Sequence, residues 1–237
     1  MNNSPTKTYL QCARRLADTV EAQAARIQEA AGWFAQTILA GRMVHVFGSG
    51  HSRMMVEEMW PRYGSFPGFN PIVELSLSFH NLVVGANGQR QAMFLENVSG
   101  LAERILRNFD LAKTDSALVI SSSGCNVVPI EMAEQFQKRG VRVVAIVSKQ
   151  HLETSVSKRP DHKKLSDFAD LVLDTGAPAG NAMVKLDGLE TPVAPGSTLG
   201  GCLLVNALKT EVALRLMQAG QRSVFDDHRP AFLGAPQ

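Results

Sequence analysis

The stretch "SALVISSSGCNVVPIEMAEQFQKRGVRVVAIV", residues 116–147, decides the fold. Its two ends, residues 116–120 and 141–147, are short and apolar throughout, which is typical of strands that are buried on both faces. Between them, residues 129–140 have the pattern of a helix that ends at a glycine. A strand, a helix and a second strand in this order predict two parallel strands joined by a crossover helix.

The same alternation continues on both sides of this unit. Three further strand-like runs lie at residues 43–47, 71–75 and 170–176. Helical patterns cover residues 5–40, read as one helix, and residues 97–109 and 198–220. The sequence therefore predicts an α/β fold: a doubly wound three-layer sandwich around a five-stranded parallel sheet of flavodoxin-like order 2-1-3-4-5, with an N-terminal helical extension.

The chain divides into an N-terminal helical extension (1–41), one ligand-binding domain (42–220) and a C-terminal tail (221–237). The polar, basic segment 148–168 is interpreted as a solvated loop, with a lid over a site as the alternative. The tail carries His228 and Arg229, and it either covers a neighbouring site or is disordered.

Composition and charge exclude several classes of protein. With 237 residues, 45% of them hydrophobic and 19% charged, the chain is an ordinary globular domain. A net charge of +2 predicts neither a nucleic-acid partner nor a membrane partner. Cys12, Cys125 and Cys202 are too far apart for a zinc site or a disulfide framework. The start has no secretory pattern and no run reaches transmembrane length, so we expect a cytoplasmic protein without a metal or an organic cofactor.

Two short polar loops follow the first and third predicted strands, "GSGHS" at 48–52 and "SSSGCN" at 121–126. In the predicted sheet the ligand crevice lies beyond the carboxyl ends of these two strands. Helix N-termini offer unpaired N–H groups, glycine allows close approach and serine adds donors, so phosphate can be held without Lys or Arg. The predicted phosphate-binding residues are Ser49, Gly50, His51, Ser52, Ser121, Ser122, Ser123, Gly124 and Asn126.

The alternative is that these loops only turn the chain and cap helices. The first loop is neither a dinucleotide fingerprint, because Arg53 stands where GxGxxG requires its third glycine, nor a P-loop, because no GK[ST] follows. The occurrence of two such loops at the two strand ends that flank one crevice favours the phosphate interpretation.

At these residues the chain resembles the sugar isomerase (SIS) domain family, through "FGSGHS" and "SSSGCN". It is similar to a stand-alone, phosphoheptose isomerase-like subgroup in "GSGHSRMMVEE", "SSSGCNVVPIEMA" and "LVLDTGAP", and the resemblance covers most of residues 10–220. The resemblance implies phosphosugar binding, with Ser52 and the hydroxyls of residues 121–123 on the phosphate. It also implies a homodimer or homotetramer, with the first and last helices at subunit contacts and sites that borrow side chains from the neighbouring chain.

The chain departs from this family at two places. Phosphoheptose isomerases and muramic acid 6-phosphate etherases carry a catalytic glutamate ten residues after the first-loop serine, and counting from Ser52 reaches Arg62. In the second loop, Cys125 and Asn126 replace the family's Asn and Ser/Thr, so a carboxamide stands where the family has a phosphate-binding hydroxyl.

Aldose–ketose isomerisation needs a base at the carbon beside the carbonyl and an acid at the carbonyl oxygen. The predicted catalytic residues are Glu57, Glu74 and His80. Glu57 lies about 7 Å along the helix from Ser52, with Glu58 beside it, and the alternative for this pair is a solvated acidic helix start. Glu74 is placed at the end of the second strand, and His80 follows it.

Three other polar residues, His45, Asn206 and Lys209, have mainly structural interpretations. His45 lies within a strand and is interpreted as a core residue with its hydrogen bonds satisfied. On the last helix, Asn206 is a candidate for orienting substrate and Lys209 for a charge partner, although a solvated face is the default for both.

The leading hypothesis is therefore an enzyme that isomerises a phosphorylated sugar. The alternatives are a phosphosugar ether lyase and a phosphosugar sensor without catalysis. Only about 40 residues precede the first predicted strand, too few for an added helix-turn-helix domain, which argues against a DNA-binding regulator.

Overall fold

The computed structural model describes residues 4–78 and 89–221. The first half contains α1 (Pro5–Glu21), α2 (Ala24–Leu39), β1 (Val44–Gly48), α3 (Arg53–Met59), β2 (Phe69–Ile72), α4 (Leu75–Ser78), α5 (Gln89–Leu95) and α6 (Leu101–Leu106). The second half contains β3 (Ser116–Ile120), α7 (Val127–Lys138), β4 (Arg142–Val147), α8 (Lys149–Thr154), β5 (Leu171–Asp174), β6 (Ala182–Val184), β7 (Val193–Pro195) and α9 (Ser197–Gln218).

The main sheet has five parallel strands in the order β2-β1-β3-β4-β5, which confirms the predicted fold and order. β1 lies between β2 and β3, and Phe47 is in register with Ile72 on one side and Val119 on the other. Every residue of β1 and β3 is buried. The largely apolar sequence of these strands, apart from His45 and Ser116, is explained by burial on both faces.

The side chains of alternate strand residues belong to two separate hydrophobic layers, one on each face of the sheet. On one face, Val46 and Ile120 pack with Phe34 of α2 and with Leu204 and Leu208 of α9. On the other face, Phe47, Val119 and Ala145 pack with Met132 and Phe136 of α7. Because side chains alternate along a strand, both layers come from the same five strands. The result is the predicted three-layer sandwich.

The prediction of one helix over residues 5–40 is wrong, because the chain turns between α1 and α2. The turn presents Gln23 to the edge strand β5. The Gln23 side chain donates to the Asp174 carbonyl (2.8 Å) and accepts the Asp174 N–H (2.7 Å). These two hydrogen bonds satisfy backbone groups of an edge strand, which has no neighbouring strand on that side to bond them. Periodicity does not show this break, since both helices are apolar at similar spacing.

Several other predicted boundaries shift. The helix predicted over 97–109 is only Leu101–Leu106, and the one predicted over 129–140 begins earlier, at Val127. The two-stranded antiparallel sheet of β6 and β7 was not predicted, and its strands are only three residues long. Among the described residues, no helix is both long and apolar enough to be a membrane span.

A buried ionic cluster lies at the amino end of β1, away from the loops after the strands. The Asp115 side chain has no exposed surface, and it accepts hydrogen bonds from Arg42 Nε (2.7 Å), His45 Nε2 (3.2 Å) and the Ala112 N–H (2.8 Å). The other ring nitrogen of His45 accepts from Asn70 (3.0 Å). His45 is therefore a core residue with both ring nitrogens satisfied, as the sequence predicted.

This cluster contributes to the pH dependence of stability. Burial lowers the pKa of His45, against the opposing effect of Asp115. Burial also pushes the pKa of Asp115 upward, but the bonds from Arg42, Ala112 and His45 outweigh it and hold that pKa below its usual value. Because both pKa values are lower in the folded chain, the unfolded chain binds more protons in acid, and stability is lost as the pH falls.

We expect the free energy of unfolding to fall between pH 7.5 and 5.5. The contribution of His45 begins to disappear below its ordinary pKa of 6.5, whereas that of Asp115 is lost only below 3.8. Urea denaturation at the two pH values measures the difference. His45→Asn should make this difference in unfolding free energy smaller. If the unmodified protein were as stable at pH 5.5 as at pH 7.5, or more stable, the expectation would be contradicted.

Candidate functional site

A cleft of about 240 Å³ lies at the carboxyl ends of β1 and β3. Its walls include both polar loops, which the sheet order brings side by side because β1 and β3 are neighbours. The loop residues that line it are Ser49, Gly50, His51, Ser52, Ser121, Ser122, Ser123 and Asn126. Eight of the nine predicted phosphate-binding residues therefore meet in one place, although their binding role stays a prediction.

The first loop is a tight turn that needs its glycines. Residues Gly50–Ser52 form a 3-10 turn, and the Ser52 N–H donates to the Ser49 carbonyl (3.0 Å). Gly50 has φ +54°, which favours glycine. A Cβ on Gly48 would lie 2.7 Å from the Ser52 carbonyl oxygen, so a side chain there would push the turn outward. The sequence thus places two serines and a histidine on the cleft wall.

The second loop continues from β3. The Ser121 N–H still donates to the Ile146 carbonyl of β4 (3.0 Å), and the chain then turns. Ser121 Oγ accepts the Gly124 N–H (3.2 Å), and Ser123 Oγ accepts the Cys125 N–H (3.3 Å). A hydroxyl that accepts a hydrogen bond still has its own hydrogen to donate. The loop therefore both shapes itself and offers donors to an anion in the cleft.

Gly124 is the one predicted phosphate residue that does not line the cleft. It is buried on the other side of the loop with φ +60°, and a Cβ there would lie 2.6 Å from Leu152 Cδ1. Its carbonyl accepts the Leu165 N–H (2.8 Å). Gly124 therefore allows the turn and the close packing behind it, and its predicted contact with phosphate is not supported.

The segment 148–168 supports the second loop from behind, so its interpretation as a solvated loop describes its exposed residues but not its packing. It contains α8 and a 3-10 turn over Leu165–Phe168, whose two terminal side chains are buried. The Lys158 N–H donates to the Cys125 carbonyl (2.9 Å). Apolar residues spaced along a polar segment explain this packing, since Leu152 also joins the core.

The two second-loop residues that depart from the family pattern, Cys125 and Asn126, lie in different surroundings. Cys125 is buried, its thiol is near the Ser155 carbonyl (3.7 Å), and burial raises the pKa of that thiol. A thiol with a raised pKa is a poor nucleophile, so Cys125 is a packing residue. Asn126 lines the cleft, and its amide donates to the carboxylate of Glu96.

The structure does not bring Glu57 or Glu74 into the cleft. Glu57 is on α3, with its carboxylate 3.5 Å from Arg53, and it is not among the lining residues. β2 ends at Ile72, so Glu74 is not on a strand; its side chain accepts the Leu77 N–H (2.9 Å) and caps α4. His80 lies outside the described residues. The geometry gives the predicted catalytic roles of Glu57 and Glu74 no support.

Glu58 belongs to a separate polar cluster between α3 and α9. It accepts hydrogen bonds from Arg62 (2.6 Å) and Asn206 (3.1 Å), and Lys209 Nζ donates to its carbonyl (2.6 Å). Lys209 is only 6% exposed, and burial lowers its pKa. Lys209 Nζ also lies 3.6 Å from the Glu58 carboxylate, so Lys209 is a charge partner of Glu58. Asn206 donates to Glu58 and does not line the cleft.

Sequence reasoning missed several residues that line the cleft. Glu96 follows α5, His151 lies on α8, and the others are Gln89, Ala92, Met93, Asn181 and Ser197. His151 Nδ1 is 3.5 Å from Ser122 Oγ. The rule that ligands bind beyond strand ends could have found His151, because α8 directly follows β4. Nothing local distinguishes Glu96 in the sequence.

A family model described as "SIS domain" matches residues 8–148. This span is more than half of the chain, and it includes β1, β3 and both cleft loops. The chain belongs to the SIS domain family.

Three comparisons describe what the chain is similar to. A UPF0309 protein of Halalkalibacterium halodurans is 33% identical over 207 residues, which is 87% of this chain and 83% of the relative. A phosphoheptose isomerase from Francisella tularensis has a TM-score of 0.55 at 15% identity, over 87% of this chain and 94% of that one. A protein of E. coli CFT073 in complex with A5P has a TM-score of 0.53 at 16% identity, over 97% and 100% of the two chains. The two structures share the fold.

Proposed function

We propose that the cleft binds a phosphorylated sugar through its phosphate. The observation that carries this proposal is the convergence of the two serine and glycine loops on one cleft. Among the described lining residues no lysine or arginine occurs, so the anion would be held by hydroxyls, backbone N–H groups and the two histidines. The similar fold of the E. coli protein with A5P is consistent with such a ligand.

The proposed reaction is aldose–ketose isomerisation. A base removes the proton from the carbon beside the carbonyl and the carbonyl oxygen gains a proton, which gives an enediol. The hydroxyl on the neighbouring carbon then loses its proton while the former carbonyl carbon gains one, which completes the exchange. His51, Glu96 and His151 are the titratable side chains among the described lining residues. We therefore assign the proton transfers to this set, in place of Glu57 and Glu74.

A thermal-shift panel tests phosphosugar binding. Glucose 6-phosphate, fructose 6-phosphate and ribose 5-phosphate are compared with the corresponding free sugars, because a ligand that binds only the folded state raises the Tm. At least one sugar phosphate should raise the Tm while its free sugar does not. If no phosphorylated sugar in a broad panel does so, the proposal fails.

Proton exchange in D₂O then separates catalysis from sensing. A sugar phosphate that binds is expected to incorporate deuterium at the carbon beside its carbonyl. Binding without exchange would favour the phosphosugar sensor, and release of an ether-linked group would favour the lyase.

We expect Ser123→Ala to weaken binding of that sugar phosphate by about 1–3 kcal/mol, the usual loss for a hydrogen bond to a charged group. Titration calorimetry measures the change in Kd. Ser4→Ala is the matched control, because Ser4 is exposed at the start of α1 and its side chain makes no capping bond. Unchanged affinity in Ser123→Ala would remove Ser123 from the phosphate site.

We also propose that the chain forms a homodimer or homotetramer through α1 and α9. Leu10, Leu214 and Met217 on these helices are 46%, 53% and 41% exposed. Apolar side chains of this size on two packed helices suit a contact with a second copy. Light scattering of the purified protein measures the mass directly, and a monomer would exclude the proposal.

A further inference from the structure

Glu96 is held at the cleft by backbone bonds on two elements. Its N–H donates to the Ala92 carbonyl of α5 (2.9 Å), and its carbonyl accepts the Val128 N–H in the first turn of α7 (2.8 Å). Residue 96 is thereby fixed between α5 and the helix that follows the second loop. Its side chain is half-buried and lines the cleft.

The Glu96 carboxylate stands between the two loops. One oxygen accepts the Asn126 amide, and the other lies 3.5 Å from the point that a Cβ on Gly50 would occupy. Glu96 is the one carboxylate among the described residues that line the cleft. The side chain is thus held by the second loop and by its own backbone, and it lies beside the first loop.

A carboxylate in a phosphate cleft has two opposite effects on a ligand. It repels the phosphate, by an amount that is large at a few ångströms in a partly desolvated site. It also accepts hydrogen bonds from hydroxyl groups, and bonds to an ionised acceptor are about twice as strong as neutral ones. Inorganic phosphate can offset the repulsion only through its own P–OH hydrogens, whereas a phosphate that carries a polyhydroxylated chain gains several hydroxyl bonds.

We propose that Glu96 is a specificity-determining residue that makes the cleft select polyhydroxylated phosphate esters over inorganic phosphate. Asn126 is its positioning residue, since the amide holds the carboxylate in the cleft. This inference rests on the proposed function, because it concerns the sugar end of a ligand whose phosphate occupies the two loops.

Titration calorimetry of Glu96→Gln tests the inference. Glutamine keeps the shape and can still accept the Asn126 amide, but it removes the charge. We expect inorganic phosphate to bind about threefold or more tightly. The ratio of the Kd of inorganic phosphate to that of the sugar phosphate should fall about tenfold, because the charged hydroxyl acceptor is lost while relief of repulsion helps both ligands.

Glu103→Gln is the matched control, since Glu103 is an exposed carboxylate on α6, outside the cleft, and the same charge is removed. Both Kd values should stay unchanged in it. Asn126→Ala is the second variant. It keeps the charge of Glu96 but removes the amide that positions the Glu96 carboxylate, so the Kd ratio should fall without tighter binding of inorganic phosphate. It also serves if Glu96→Gln does not fold.

The outcomes separate the two proposals. If the unmodified protein binds no phosphorylated sugar, the proposed function fails and this inference fails with it. If the unmodified protein prefers sugar phosphates but Glu96→Gln and Asn126→Ala leave the Kd ratio unchanged, the phosphosugar site stands and the role of Glu96 is wrong. A protein that binds inorganic phosphate as tightly as sugar phosphates would also overturn the inference.

Discussion

Gly200→Ala is expected to lower the free energy of unfolding by about 3 kcal/mol, at the upper end of the usual cost of overpacking. Gly200 lies in the first turn of α9, where the helix crosses the end of β5. A Cβ at this position would lie 2.0 Å from the Thr175 carbonyl oxygen and 2.9 Å from its carbonyl carbon. Both are backbone atoms, so no side-chain rotation relieves the contact, and the helix or the strand end must move.

Gly32→Ala is the matched control for this prediction. Gly32 is also inside a helix, α2, but the nearest atom to its Cβ position is Arg215 Nε at 3.8 Å, an ordinary contact. Because alanine is the better helix former, this variant should gain about 0.5–1 kcal/mol. Urea denaturation measures both variants. Equal effects of the two substitutions would show that the contact of α9 with β5 is not tight.

The same change should affect the cleft. Ser197 is the first residue of α9 and lines the cleft, so a displaced helix end alters that wall. We therefore expect weaker sugar phosphate binding in folded Gly200→Ala protein and unchanged binding in Gly32→Ala.

Asp115→Ala is expected to destabilise the fold by about 3 kcal/mol, because each buried donor left without an acceptor costs about 1–3 kcal/mol. Its carboxylate is fully buried and accepts four hydrogen bonds, two from Arg42 and one each from His45 and the Ala112 N–H. Without it, the buried His45 ring N–H and the Ala112 N–H lose their acceptor, and each unsatisfied group adds to the cost. The Arg42 side chain is 31% exposed and can turn toward water.

Asp110→Ala is the control for this prediction. The Asp110 carboxylate is 3.8 Å from the same Arg42 guanidinium, but 97% of its side chain is exposed. An exposed ion pair contributes little, so this variant should differ from the unmodified protein by less than about 1 kcal/mol. Thermal and urea unfolding compare the two. A loss at Asp115 as small as that at Asp110 would show that the buried cluster does not hold the amino end of β1.

The strands were predictable because their signal is local. Uniform apolar runs such as residues 116–120 reflect burial on both faces, and the rule for ligand sites in parallel sheets then places the loops after β1 and β3 side by side. The turn chemistry of residues 48–52 and 121–126 is also local, which explains why eight of the nine predicted phosphate residues line the cleft.

The placement of a residue differs from the expectation where that placement depends on packing. Gly124 has the composition of a phosphate loop, but Leu152 and Leu165 pack behind it and place it away from the cleft. The distance along the helix axis predicts that Glu57 reaches the sugar. That distance says nothing about the direction that the Glu57 side chain takes around the axis. Glu74 caps a short helix that the strand pattern hid.

The sequence by itself determined the strands and the two polar loops, because periodicity and turn chemistry act over a few residues. The sheet order followed from the rule for doubly wound folds, and the SIS resemblance from the motifs in the two loops. Only the tertiary structure decided which side chains share the cleft with those loops. Glu96 meets Asn126 across 30 residues, and Asn206 meets Glu58 across 148. Such contacts depend on how whole helices dock on the sheet, and no local pattern contains that information.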